Sequence, residues 1–289
     1  MIENHFFSTH RREGDVDFFF AAGEGSGDVE LNASCEGRTV EIWDAVKCGR
    51  ARCPHRAASN GKTRVSLDLP IGGSCFIVFA PKGVCENSRV ERVERVDVSI
   101  TNAWQVSFAY HDGISAAPPA AMTMPALRDW MTFGEEGKAD SAALRYFSGT
   151  AKYRTTFSWR RDGVIAPYHA TLATGSLPSG IAHVYVNGAD CGVAWCAPWE
   201  VDISSAVRKG ENEIEIRYAN NWHNRLVGDC FLKPEERVTR STLHYWRHSR
   251  KDAADKDRSH RRTRYSGPSA DDPLQPSGLL GPVKLLLAK

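Results

Sequence analysis

Helical periodicity is scarce in this sequence, and so are the features that announce chemistry. The cysteines at 35, 48, 53, 75, 85, 191, 196 and 230 form no Cys-x-x-Cys pair. The nearest, Cys48/Cys53 and Cys191/Cys196, are too widely spaced for a zinc knuckle, which excludes the commonest structural zinc sites. The expected state is isolated thiols filling small buried positions. Net charge is nearly absent: 37 Lys+Arg against 35 Asp+Glu leave +2, so no global field recruits nucleic acid or an anionic membrane. Long apolar runs are missing too. Cys75-Phe76-Ile77-Val78-Phe79-Ala80 is strand-sized, against the roughly 20 residues of a membrane helix. The N-terminus shows no basic stretch leading into an apolar one, so no signal peptide is visible and the compartment stays unassigned.

What is there reads as a soluble, globular, all-β chain. Val29-Glu30-Leu31-Asn32-Ala33, Thr39-Val40-Glu41-Ile42-Trp43 and Arg64-Val65-Ser66-Leu67-Asp68-Leu69-Pro70 alternate with period two. Asp17 to Ala22 is a short strand ended by Gly23-Glu24-Gly25-Ser26-Gly27, and a Gly72-Gly73 turn leads into Phe76–Phe79. These predict a small antiparallel β-sandwich over residues 1–83. Residues 84–97, with their Val/charge/charge repeat, predict a linker. A second β region over 98–289 then opens with Val98-Ser99-Ile100 and Trp104 to Tyr110, and one helical turn is expected over Pro125–Met131. Lys152 to Trp159 has strong β propensity, and Ala182 to Val186 enters Asn187-Gly188, a dipeptide that tolerates positive φ and favours a hairpin. Ser204 is a candidate N-cap, and Val283 to Leu287 a closing strand.

A basic loop is expected over residues 237–275. Its segment 237–264 holds ten Lys/Arg, three His and three acids, with Tyr245 and Trp246. Basic stretches with aromatics can hold single-stranded nucleic acid, but the acids at 252, 255 and 257 dilute this one, and a solvated loop is the reading retained. No nucleic-acid partner and no membrane partner are expected.

Four segments carry a resemblance. Tyr146-Phe147-Ser148-Gly149-Thr150 running to Phe157, Ala182 to Gly188 with Gly192-Val193-Ala194-Trp195, Ala197-Pro198-Trp199-Glu200-Val201-Asp202-Ile203, and Lys209 to Ile216 resemble, in order and spacing, the galactose-binding-like jelly roll of family 2 glycosidases. Asn220-Asn221-Trp222-His223-Asn224-Arg225-Leu226-Val227-Gly228-Asp229 and Pro276-Ser277-Gly278-Leu279-Leu280-Gly281-Pro282-Val283 narrow the resemblance to glycoside hydrolase family 106, the α-L-rhamnosidase group. The segment His10 to Phe20 and Glu41-Ile42-Trp43-Asp44 resemble the same family just after its catalytic barrel. The resemblance covers nearly the whole chain and only the C-terminal part of that architecture. It implies a non-catalytic accessory region for residues 1–83 and a sugar-binding jelly roll for 98–289. It also implies a catalytic (α/β) barrel partner, in cis or in trans, and a rhamnose-containing glycan as ligand.

No residue inherits a catalytic role by motif. A glycosidase needs two carboxylates flanking one bond. Glu200 and Asp202 share a strand face at about 7 Å, but that spacing is common, and outward polar residues on a strand explain it without chemistry, which is the reading retained. Asp190 and Asp229 are the other acids near the aromatic motifs, and Arg225 with Asp229 is expected to pin a loop. The carbohydrate-contact candidates are Trp195, Trp199 and Trp222, whose indoles can stack on sugar C–H faces, with Asn187, Asn220 and Asn224 as directed hydrogen-bond partners. The competing reading packs these tryptophans in the sandwich or against a barrel. Sandwiches of this type can hold calcium through Asp/Asn side chains and backbone carbonyls, and no ligands are assigned here. An active hydrolase of terminal α-L-rhamnosides and a free-standing lectin-like module are the alternatives.

Overall fold

The computed structural model describes residues 6–81, 95–111, 117–136, 140–159, 169–233, 235–237 and 268–288. Most of the expected linker and most of the basic loop with Tyr245 and Trp246 lie outside them. The chain divides into two compact units: residues 1–95 with 196–198 and 288, and 96–195 with 199–287 and 289. Both are all-β.

The first unit contains β1 (Phe7–Glu13), β2 (Val16–Leu31), β3 (Arg38–Asp44), β4 (Gly49–Arg52), β5 (His55–Ala57) and β6 (Thr63–Pro81). They form one antiparallel sheet in the order β1-β2-β6-β3-β4, with β5 also on β6. Where the sequence predicts strand breaks at Gly23–Gly27 and Gly72-Gly73, the structure has two unbroken strands that bend. β2 and β6 pair from Asp17↔Phe79 to Leu31↔Thr63, slipping register between Gly23 and Gly25. Gly25 (φ 83°) and Gly72 (φ 67°) take left-handed conformations that L side chains resist, so glycine lets the ladder turn without ending.

That bend makes the core. On a straight strand Val65 and Phe79 would stand about 45 Å apart, yet both belong to one buried cluster with Phe19, Ala21, Leu31, Val40, Leu67 and Ile77. The segment between β4 and β5 closes the fold: the Cys53 amide donates to the Val40 carbonyl on β3, while the Pro54 carbonyl accepts from Ser66 on the first half of β6. At the entrance to β2, Asp17 is buried and accepts hydrogen bonds from Arg38 (2.6 Å) and His10 (2.7 Å). Burial pushes its carboxyl up, but the two donors outweigh it and hold it below its ordinary value. Cys53 and Cys75 are buried thiols whose desolvation pushes them up to about 12 and about 11, and no disulfide joins the described cysteines.

The second unit faces two sheets. It contains β7 (Arg95–Ser99), β8 (Trp104–Tyr110), β9 (Met122–Met124), β10 (Gly149–Trp159), β11 (His169–Ala173), β12 (Gly180–Val186), β13 (Ala189–Ala194), β14 (Glu200–Asp202), β15 (Gly210–Asn220) and β16 (Lys284–Ala288). One sheet runs β13-β12-β15-β10-β8-β9 and the other β14-β11-β16-β7. Period-two alternation buries Ala151, Tyr153, Phe157 and Trp159 from β10, Ile214, Ile216 and Tyr218 from β15, and Leu172 and Val201 from the facing sheet.

The helical turn expected at Pro125–Met131 lies later, as a 3-10 helix over Trp130–Glu136, and two short helices, α1 (Asp140–Arg145) and α2 (His223–Asp229), were not visible in the sequence. The later start at Trp130 has a packing reason. Its indole is fully buried, meets Phe108, Phe147 and Tyr218 edge-on, and donates to the Tyr153 hydroxyl at 2.8 Å. Ser204 does not act as the expected cap. Its hydroxyl accepts from the Ala170 amide and donates to Asp202, so the carboxylate of Asp202 organises that turn.

Candidate functional site

Strand register sorts the candidate residues into places. Gly149 pairs with Tyr110, Ala219 with Thr150, Gly180 with Asn220, and Ala182 with Ala194. One end of the six-stranded sheet therefore collects His111, Asn220, Trp222, Asn224 and Trp195. Asn187 sits at the opposite end, beyond Val186, beside the start of β15. Trp199 precedes β14 on the facing sheet.

The three asparagines are engaged internally. Asn187 (φ 51°) and Gly188 (φ 81°) make the expected tight hairpin. The Asn187 amide donates to the Ala206 carbonyl and Asn212 Oδ1, and its oxygen accepts from the Glu213 amide. Asn220 is buried, donating to the Phe147 carbonyl and accepting from the Gly149 amide, which ties β15 to the entry of β10. Asn224 is buried on α2, donating to Gln275 O and Ser277 Oγ and accepting from the Gln275 amide. It thereby anchors the 268–283 segment, where Ser277 also bonds Asp129, and where Gly278 (φ 104°) leaves no room beside Trp130: a Cβ there would stand 2.6 Å from the indole nitrogen. The motifs at 220–229 and 276–283 thus build this end of the sandwich.

The tryptophans differ. Trp195 is 59% exposed and Trp222 39% exposed, whereas Trp199 is half-buried against the core in a left-handed backbone (φ 56°), its carbonyl accepting from the Thr174 amide. A bulky residue in that region is costly, so surrounding contacts hold it there.

Around Trp222 the structure gathers polar groups that sequence reasoning missed. The His111 ring lies 5.0 Å from the indole at 39°, and its Nε2 donates to the Asn220 carbonyl at 3.3 Å, which leaves Nδ1 an acceptor in the neutral ring. Asn221 donates to Gln275 Oε1 and accepts from the His223 amide; His223 Nε2 donates to the Pro273 carbonyl. Arg225 and Asp229 form the expected pair along α2, half-buried and buried respectively, at 2.9 Å. Phe231, 61% exposed, rests near the Tyr146 ring. An exposed indole backed by an imidazole is chemistry suited to a polyhydroxylated ring. His111 carries no local sequence signal, since only strand pairing brings it beside Trp222. Asn221 and His223 could have been found as neighbours of the tryptophan.

Carboxylates are arranged otherwise. Glu200 and Asp202 flank buried Val201 on β14, with Asp202 serving the Ser204 turn. Asp190 accepts from His183 Nε2 (2.8 Å) and the Gly192 amide, which pull it below its ordinary value. Glu215 is buried on the outer face of β15; burial raises it, but Arg217 and Arg154 hold it down. Every described carboxylate with a displaced pKa, namely Asp17, Glu30, Asp190, Glu215 and Asp272, is displaced downward. The general acid of a glycosidase needs the opposite shift. No three His, Cys, Asp or Glu side chains cluster as a metal-ligand set among the described residues, so they offer calcium no such carboxylate cage.

Comparison with known proteins places this architecture. No family model matches the chain. A curated protein of Formosa agariphila, provisionally named a β-glucuronidase, is 32% identical over 182 residues, 55% of this chain and 13% of that protein. The solved rhamnosidase of Novosphingobium sp. PP1Y superposes with a TM-score of 0.69 at 27% identity, over 99% of this chain and 24% of that one. The chain thus spans about a quarter or less of the length of these relatives.

Proposed function

Because the chain is a glycoside hydrolase-related β-sandwich protein, we propose that it is the non-catalytic accessory region of an α-L-rhamnosidase-like glycosidase. In this reading residues 1–83 stand beside a catalytic barrel supplied in cis or in trans, and residues 98–289 form a galactose-binding-like jelly roll that contacts carbohydrate. The observation that carries it is the end-to-end likeness to one quarter of a rhamnosidase.

The contact surface is the end of the sheet at Trp222, with His111, Asn221 and Gln275 around it. Asn187, Asn220 and Asn224 shape the loops that present it. Titration calorimetry with a rhamnose-containing oligosaccharide tests this. Binding without turnover is expected, weakened about tenfold or more by Trp222→Ala, the loss of one aromatic stack and its neighbours. The unfolding midpoint should stay close to that of the parent. Release of rhamnose from an aryl α-L-rhamnoside, abolished by Glu200→Gln or Asp202→Asn, would instead establish the hydrolase reading. Binding with no barrel partner anywhere in the source organism would establish the lectin-like one, which the exposure of Trp222 favours.

A further inference from the structure

The outer face of the six-stranded sheet changes character along its strands. In the middle it is charged and satisfied from within. Glu215 on β15 accepts from Arg154 on β10 and from Arg217 on its own strand, and Asp190 on β13 accepts from His183 on β12. Two residues past Arg217, toward the Trp222 end, the charge stops. Ala109, Thr150, Ala219 and Ile181 stand opposite one another on β8, β10, β15 and β12. Trp195, one residue beyond the Ala182↔Ala194 pair, continues the row at the β13 edge. Phe108, Ala151, Tyr218, Ala182 and Ala194, their neighbours along the chain, are buried, so alternation turns this row outward. Ala109, Ile181 and Trp195 are exposed, and Thr150 and Ala219 half-buried. At the β8 end His111 lies two residues past Ala109, with the Trp222 ring 5.0 Å from its own.

We propose that this row is a second glycan subsite, over which a linear oligosaccharide bound at Trp222 runs across the strands to Trp195. The inference rests on the reading above that Trp222 contacts carbohydrate. Three features carry it. First, from β13 to β8 the row crosses four strand spacings, about 19 Å. That is too far for one pyranose ring to meet both indoles, so they address different rings of one chain. Second, the floor between them is made of Ala219, Thr150 and Ala109, side chains shorter than the 59% exposed indole at one end or the ring pair at the other. Along one side of that floor runs the row Ser107, Lys152, Arg217 and His183, a margin of hydroxyl, ammonium, guanidinium and imidazole groups. An apolar floor for C–H faces beside hydrogen-bonding groups for hydroxyls is what an oligosaccharide requires. Third, protein interfaces place their large apolar anchors together near the centre of the patch. Here the large side chains, Trp195 with Ile181 and Trp222 with His111, stand at the two ends and the smallest lie between. That arrangement fits a thin polar chain and leaves a protein patch without a central anchor.

The experiment is titration calorimetry of the full chain with two probes, methyl α-L-rhamnoside and a linear tetrasaccharide ending in α-L-rhamnose. The tetrasaccharide should bind about tenfold more tightly or better, the gain from a second aromatic stack. Trp195→Ala, and Ala219→Arg, which fills the floor, should each bring the ratio of the two affinities close to one, whereas Trp222→Ala should weaken both probes. The altered side chains at 195 and 219 lie outside the core, so the unfolding midpoints should stay close to that of the parent. Equal affinity of the parent for the two probes, or a tetrasaccharide gain that survives Trp195→Ala, overturns the second subsite. Weakening of methyl α-L-rhamnoside by Trp222→Ala would then leave the contact at Trp222 standing. If the parent binds neither probe, the carbohydrate reading of Trp222 falls and the second subsite with it. Self-association that Trp195→Ala abolishes in sedimentation velocity would assign the row to a second copy of the chain and overturn the glycan subsite.

Discussion

The two units use their aromatic residues in opposite directions. In the second, Trp104, Trp130, Phe108, Phe147, Tyr153 and Tyr218 point inward and meet edge to face, so two sheets close on a core that is complete by itself. In the first, only Phe19 and Phe79 of the strand aromatics point inward, and Phe18, Phe20, Phe76 and Trp43 point out. Its interior relies on small and aliphatic side chains, a glycine-assisted bend and the buried Asp17 carboxylate. The same residue type is therefore cohesion in one unit and surface in the other, and the strand register, which faces each ring in or out, is what decides.

Substitutions can break or sharpen that contrast. Trp130→Ala should be the most damaging, removing the ring at the centre of the second unit and the donor to Tyr153, and costing about 3–5 kcal/mol in denaturant unfolding. A loss below about 1 kcal/mol would mean the inward aromatics are not what holds that unit. Asp17→Ala comes next. It removes the carboxylate partner of half-buried Arg38, which keeps only the Asp15 and Phe79 carbonyls, and of His10, at about 3 kcal/mol. Because the folded carboxyl lies below its ordinary 3.8, the contribution of Asp17 is complete above that range and is lost as pH falls through the folded value. The parent should therefore lose stability in acid more steeply than the variant, and parallel acid titrations would contradict the assignment. Gly72→Ala meets no neighbouring atom, so its cost, about 1–2 kcal/mol, is backbone strain at φ 67° alone. A neutral result would show that the bend in β6 does not need glycine. Phe20→Ser should cost least, about 1 kcal/mol or less in denaturant unfolding, since that ring is 38% exposed and loses mainly its cross-strand pairing with Phe76. A large loss would place that ring in the core group and remove the contrast.

Reduced thiols offer a milder comparison of the same kind. Exposed Cys48 should be alkylated at once, whereas Cys53 and Cys75, pushed up to about 12 and about 11 by burial, should react only on unfolding.

Period-two alternation and the Asn187-Gly188 turn were enough to determine an all-β chain with its inward and outward residues, because side-chain direction along a strand depends only on local backbone geometry. The same local reading made Gly23–Gly27 and Gly72-Gly73 into strand ends. Whether glycines break a strand or bend it depends on the partner strand, which lies some fifty residues away in sequence. The amides of Asn220 and Asn224, candidates by type, were committed to loop geometry by partners at 147–149 and 275–277. His111 came to Trp222 only through pairing at the sheet end, and Trp43 joined Phe20 and Phe76 only through cross-strand register. Residue type and alternation are local properties of the chain. Adjacency between strands distant in sequence is set by long-range hydrogen bonding and burial, and only the tertiary structure decides it.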